Sequence, residues 1–399
     1  MRQRLPFQDI ASAACLAVAI AYLIAKSTFY DGEGGDFLSY WTAGRIWADG
    51  GDPYSGRFMF LARRLFPGSS LAHAGPHGAA PWFYPPQWWL VATPVASLPA
   101  DVALCVWRAG NALLLVLASV ALARALPRAG VPLPGWAMPV FLVVAAFMTP
   151  TPMALAAGQS SILIFAGYCL YARGLMLSER ITLAFGLFLL LLKPPFGVPA
   201  AAALLLLPHG RSALAIAGTA TLVGCLPQFA ANGVMPTIHG MLANTASYGT
   251  YPPNDPFILS GLNQIVVHAF GGGVPASAAL LPCVVTSMAA ALLLHARNDA
   301  GAEGGALTLV LIALTVFFMP LHVYDFVAIA PIAILATAFD WPVRVAAWLG
   351  VAICLRPYLL AGLLPAALGN GIAIILTIAS LLALTAAALA LRDTLPQKG

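Results

Sequence analysis

The stretch ITLAFGLFLLLLKPPFGVPAAAALLLL, residues 181–207, decides the architecture. Two apolar runs flank Lys193-Pro194-Pro195, so the segment is either one long kinked span or two short ones meeting at the prolines. Parity separates the two. With an inside N-terminus and two passes, Arg124, Arg128, Arg173, Arg180, Arg211, Arg297, Arg344, Arg392 and Lys398 all fall on the cytoplasmic side. With one pass everything after Arg211 inverts, and Arg297, Arg344 and Arg392 face outward against the positive-inside tendency. Two passes are therefore expected, each of about 12 to 14 residues or roughly 20 Å, with Lys193 at or below the outer interface.

The rest of the chain agrees with a membrane reading. Of 399 residues 61% are hydrophobic and 8% charged, with a mean hydropathy of +0.88, against roughly 45–50% and 25% for a soluble domain. That excludes a soluble globular protein, a disordered chain and a coiled coil. A net charge of only +5, from 19 Lys and Arg against 14 Asp and Glu, excludes a compact nucleic-acid binder and suits an orienting surplus on inner loops.

Spans of about 20 apolar residues are expected at 10–29, after Arg2 and Arg4, and at 102–123, 136–156, 159–175, 211–231, 275–296, 305–321, 323–340, 343–361 and 370–391. The first lacks a signal peptide's short core and cleavage site and reads as a retained helix. With the two passes at 181–207 this predicts an all-α polytopic membrane protein of about 12 transmembrane helices, one domain over 1–399, both termini cytoplasmic. The six cysteines sit in apolar runs without metal or redox spacing and read as small buried hydrophobes.

Polar residues collect in two outer loops, 30–100 and 232–273. In the first, Gly34-Gly35-Asp36 opens a helical segment, Phe37 to Ala48, that ends at Gly50-Gly51-Asp52-Pro53-Tyr54. Helical spacing places Asp36, Tyr40, Ala43 and Trp47 on one face, with Trp41, Gly44, Arg45 and Ala48 on the adjoining stripe. So aromatic a helix suits the interface, where Asp36 is either a helix cap or a functional carboxylate. The cluster Trp82-Phe83-Tyr84-Pro85-Pro86-Gln87-Trp88-Trp89 precedes an apolar run, 90–98, too short to cross; Trp88 and Trp89 read as aromatic belting and Tyr84 as a stacking platform for a sugar or isoprenoid. In the second loop Asn244, Tyr248, Tyr251 and Asp255 read as either loop solvation or a second substrate side.

Charges inside or at the edge of the membrane are functional candidates: Lys193, His322, Asp325 and Arg356, all on the outer side in this topology. Two cations beside a titratable His make an anion site, with phosphate the obvious anion at a membrane surface; the alternative is neutralisation of Asp325 by Lys193 or Arg356.

In their order, Gly35-Asp36-Phe37, Tyr40-Trp41-Thr42-Ala43-Gly44, Gly51-Asp52-Pro53-Tyr54, Tyr84-Pro85-Pro86, Gly158-Gln159, Leu192-Lys193-Pro194 and His322-x-Tyr324-Asp325 resemble glycosyltransferase family 87. These are polyprenyl-phosphate-mannose-dependent mannosyltransferases of the glycosyltransferase-C superfamily, also described as domain of unknown function 2029. The resemblance implies a glycosyltransferase-C-like bundle with interfacial helices in a catalytic first outer loop. It also implies inverting transfer of mannose or another hexose from a polyprenyl-phosphate donor to a glycan or glycolipid acceptor on the periplasmic face of the inner membrane. Asp36 matches the general base. Lys193, His322 and Arg356 would hold the donor phosphate, and Tyr40, Trp41, Arg45, Tyr84, Gln159, Tyr324 and Asp325 would contact substrate. No cofactor and no metal site are expected. Independently of the resemblance, an acceptor hydroxyl needs a carboxylate to take its proton and a departing phosphate needs cations. A transporter or flippase of lipid-linked saccharides would show internal repeats with matched broken helices, and Lys193-Pro194-Pro195 has no such partner. A membrane O-acyltransferase would use His322 with Asp325.

Overall fold

The computed structural model describes residues 7–29, 34–69, 71–73, 81–249, 251, 254–295, 300–365 and 369–394; Arg2, Arg4, Arg297 and Lys398 lie outside them. Among the described residues every regular element is helical, and one isolated antiparallel bridge joins Ser260 to Leu321. After α1 (Phe7–Phe29), the segment before residue 100 holds α2 (Gly35–Ala48), α3 (Gly56–Leu65), a tight 3-10 turn at Pro86–Trp88 and α4 (Trp89–Ala96). The long α5 (Ala100–Arg128) is followed by short rods: α6 (Ala137–Phe147), α7 (Pro150–Ala157), α8 (Ser161–Met176), α9 (Arg180–Leu191) and α10 (Pro194–Leu206). Then come α11 (Gly210–Asn232) and a connecting segment with α12 (Val234–Tyr248) and α13 (Leu262–Phe270). The bundle closes with α14 (Ala276–His295), α15 (Ala300–Phe318), a 3-10 stretch Val323–Ile329 running into α16 (Ala330–Leu335), α17 (Trp341–Ile353), α18 (Pro357–Ala361) and α19 (Gly371–Asp393).

Among the described residues α5, α11, α14 and α19 are each long and apolar enough to cross a membrane. The expected span 136–156 is two rods, α6 and α7, bent by 54° and counting as a fifth span only if taken together. Pro150, at the first position of α7, has no N–H to continue the ladder. Among the other apolar helices α8, α9, α10 and α17 run 12–16 residues. Such shortness has a physical reason: α8 is buried among other helices along most of its length, and backbone can break at membrane depth where protein buries it or a cavity wets it. Cys169, Cys225, Cys283 and Cys354 are buried as expected, but Cys105 is exposed on α5 and Cys15 half-buried.

At Lys193 the chain doubles back. Gly197 comes so close to the backbone of Leu190 and Leu191 that a Cβ would collide with main-chain atoms. A break also orphans the last carbonyls of α9, and two side chains of the Pro86–Trp88 turn take them up: Gln87 Nε2 donates to Leu191 O at 2.9 Å and Trp88 Nε1 to Leu192 O at 2.7 Å. A reversal is the arrangement two passes require. A topology reporter fused after Asp325 is accordingly expected to read as non-cytoplasmic, and a cytoplasmic signal would overturn the two-pass reading.

Candidate active site

Helix α2 starts from Gly34, its N-cap, in the left-handed conformation at φ 63°. Asp36 therefore lies inside the first turn and is not the cap. Its partly buried carboxylate takes a hydrogen bond from Gln159. Gln159 is presented by Gly158, at φ 68° and so tight against Phe37 that only glycine fits. The end of α7 is held from α5: Trp107 Nε1 donates to Gly158 O at 2.8 Å, and Arg108 donates to the carbonyls of Leu155 (3.0 Å) and Ala156 (2.8 Å). A cation on the last carbonyls of a helix satisfies groups that have no intrahelical partner.

Lys193 Nζ pairs with Asp325 Oδ1, which also accepts from Ser161 Oγ at 2.7 Å. The pair is buried, with side chains 14% and 3% exposed, and the ammonium stands 5.7 Å from the ring centres of both Phe196 and Tyr324. Asp36 feels both charges. Burial pushes its carboxyl up to about 6, with Asp325 adding to the rise while Gln159 and Lys193 hold it down. It is therefore mostly ionised at neutral pH yet basic enough to accept a proton.

Tyr40, one turn beyond Asp36, binds Tyr84 Oη at 3.2 Å, Gln159 Oε1 at 3.2 Å and Ser160 Oγ at 3.3 Å, and stacks on Trp88 with ring centres 4.4 Å apart. Trp88 is fully buried, a core wall and not the interfacial belt residue expected. Tyr84 is buried among Tyr40, Trp82 and Trp88, so its ring face is not offered to a sugar. Helix α12 closes over residues 54–83: Asn244 Nδ2 donates to the carbonyls of Tyr54 (3.1 Å) and Trp82 (2.8 Å), and Tyr248 stacks on Phe83 at 3.9 Å. Tyr248 lies within the electrostatic reach of Asp36 and Asp325. Asp255 instead caps a 3-10 turn through Phe257 N.

His322 Nε2 lies 3.1 Å from Asn254 Oδ1, and its ring stacks on Tyr324 at 5.1 Å. Burial pushes its pKa below the usual imidazole value, Asp325 opposing the shift and Lys193 adding to it. The His322–Asp325 dyad that an acyltransferase would use is not formed, because the two side chains have separate partners.

Asp36, Tyr40, Gln159, Lys193, His322, Tyr324 and Asp325 thus gather at one end of the bundle with Tyr84 bonded to Tyr40 beside them, whereas Trp41, Arg45 and Arg356 stay out. Trp41 and Arg45 face α4: Trp41 Nε1 donates to Leu98 O at 2.9 Å, and the exposed Arg45 lies over the Trp41 ring. Arg356 is exposed, its guanidinium on Leu355 O at 3.0 Å, and is not among the charges acting on Asp36 or His322. Sequence reading passed over Ser161, Arg108 and the Asn254–His322 contact. Arg108, a charge inside an expected span, was the one that carried a signal. Among the described residues no group of three His, Cys, Asp or Glu side chains converges to hold a metal ion.

Apolar helices with a cluster of buried polar and charged side chains at one end suit a multi-pass helical membrane protein. The family model of glycosyltransferase family 87 matches residues 82–323, and the chain belongs to that family. It is therefore a glycosyltransferase by family; the match takes in Tyr84, Gln159, Lys193 and His322 and leaves Asp36 before it. No curated protein and no solved structure matches the chain.

Proposed function

We propose that the chain moves a hexose, mannose foremost, from a polyprenyl-phosphate donor to a glycan or glycolipid acceptor, with inversion, on the outer face of the inner membrane through about 12 spans. The observation that carries this reading is the placement of an ionised carboxylate, Asp36, beside a buried Lys193–Asp325 pair at one end of an apolar bundle. Asp36 takes the proton of the acceptor hydroxyl as the new glycosidic bond forms. The bond to the phosphate oxygen breaks, its electron pair stays on the polyprenyl phosphate, and Lys193 faces the growing negative charge with the ammonium protons that Asp325 does not use. Gln159 holds the Asp36 carboxylate, and Tyr40 and Tyr324 complete the wall.

The test is transfer of radiolabel from a polyprenyl-phosphate mannose by the purified protein in lipid vesicles, measured across pH. Label is expected to move without any nucleotide sugar. Because the proton-free form of Asp36 is lost as pH falls through about 6, activity should fall about tenfold per unit below that value. Transfer that requires a nucleotide sugar, or a flat profile down to pH 4.5, would count against donor class and base respectively.

A further inference from the structure

We propose that His322 is a hydrogen-bond acceptor for a sugar hydroxyl, with Asn254 as the residue that positions it and fixes its tautomer, and not a cation for the donor phosphate. The inference rests on the function proposed above and deepens it.

The argument runs through one amide. Asn254 Nδ2 lies 2.6 Å from the carbonyl oxygen of Tyr248. A carbonyl only accepts, so the NH2 group of Asn254 must face it, which leaves Oδ1 toward the imidazole. Oδ1 only accepts as well, and it lies 3.1 Å from His322 Nε2. Nε2 must therefore carry a hydrogen. In the neutral ring the second nitrogen, Nδ1, then holds a lone pair and can only accept. Among the described residues Nδ1 has no protein hydrogen-bond partner, and it is not one of the buried atoms left without one, so water reaches it.

The surroundings favour the neutral ring. Burial disfavours the imidazolium and Lys193 acts as a like charge, against the opposing pull of Asp325, whose Oδ1 is hydrogen-bonded to Lys193 and Ser161 and not to the ring. The ring is further clamped by stacking on Tyr324. A rigid acceptor beside an ammonium is poorly matched to a phosphate, which offers acceptor oxygens of its own. It matches an O–H donor, and a hexose supplies several. A site with a buried acceptor rejects the analogue that lacks the matching hydroxyl far more strongly than an apolar site does, so His322 would set which sugar is taken.

The test has a ligand-free arm and a binding arm. In the ligand-free arm, 15N spectra of the histidine-labelled full-length protein at pH 7, assigned by difference with His322→Gln, are expected to show a protonated Nε2 and an unprotonated Nδ1. An imidazolium or the opposite tautomer overturns the proposal, and Asn254→Leu should mix the two tautomers. In the binding arm, short-chain polyprenyl-phosphate mannose and its monodeoxy analogues are compared with octyl mannoside and its monodeoxy analogues, which separates donor from acceptor hydroxyls. One analogue is expected to bind the parent about tenfold more weakly than its full sugar, and to lose nothing further in His322→Ala. If every monodeoxy sugar suffers the same loss in His322→Ala as in the parent, His322 reads no hydroxyl. If the parent binds no polyprenyl-phosphate sugar at all, the proposed donor fails instead, and the 15N arm still decides the tautomer.

Discussion

Asp36→Asn is expected to lower sugar transfer about a thousandfold while donor binding stays within a fewfold of the parent. The amide keeps the shape and the contact with Gln159 but cannot accept the acceptor's proton, and a positioned base contributes about 10²–10⁴ in rate. The stability of the variant separates this from misfolding. The carboxyl is raised in the folded protein from its ordinary 3.8 to about 6, so the folded state holds the proton more tightly than the unfolded one. Asp36 therefore costs stability as pH rises through that window, and at neutral pH the cost is fully present. The Asn variant is free of it and should melt at or above the parent at pH 7. Normal turnover by Asp36→Asn would remove Asp36 from the role of base; loss of turnover with a lower melting temperature would point to structure instead.

Lys193→Ala should be the most damaging single change in the pocket. It removes the cation proposed for the phosphate and leaves Asp325, 3% exposed, as a buried charge held only by Ser161 Oγ. Breaking a buried pair from one side costs about 3–5 kcal/mol. The double variant Lys193→Ala, Asp325→Asn deletes both charges and should regain most of that stability, because no unpaired ion is left behind. It should not regain donor binding. Thermal melts and donor titration of the two variants and of Asp325→Asn separate the structural part of the pair from its binding part; full donor affinity in the double variant would show that the phosphate lies elsewhere.

Several residues of the candidate cluster are legible in the sequence. Asp36, Lys193, His322 and Asp325 stood out because charge is scarce in an apolar chain and each remaining ion has to be explained. The helical face Asp36, Tyr40, Ala43, Trp47 was legible from spacing, and Tyr40, Ala43 and Trp47 are buried on it. Arg45 and Arg356 misled for the opposite reason: an arginine near an interface has a long stem and finds water or a carbonyl without joining a site, and its spacing does not tell which. Tyr84 and Trp88 were read as surface aromatics because a run of such residues beside a membrane has two stable places, the interface and the protein core, and composition does not distinguish them.

What the sequence alone determined is the class and the scarcity of charge: an all-helical chain of apolar runs suited to lipid, in which each of the few ions stands out. These follow from transfer free energies that act residue by residue. What only the tertiary structure decided is which of those charges meet. Lys193 and Asp325 are 132 positions apart and Tyr40 and Gln159 119 apart, and they touch because α9 turns back on itself under Gln87 and Trp88 and α7 stops under Arg108. The tautomer of His322 belongs to the same level. It is set by Asn254 from another loop, through a hydrogen-bond direction that no local pattern encodes.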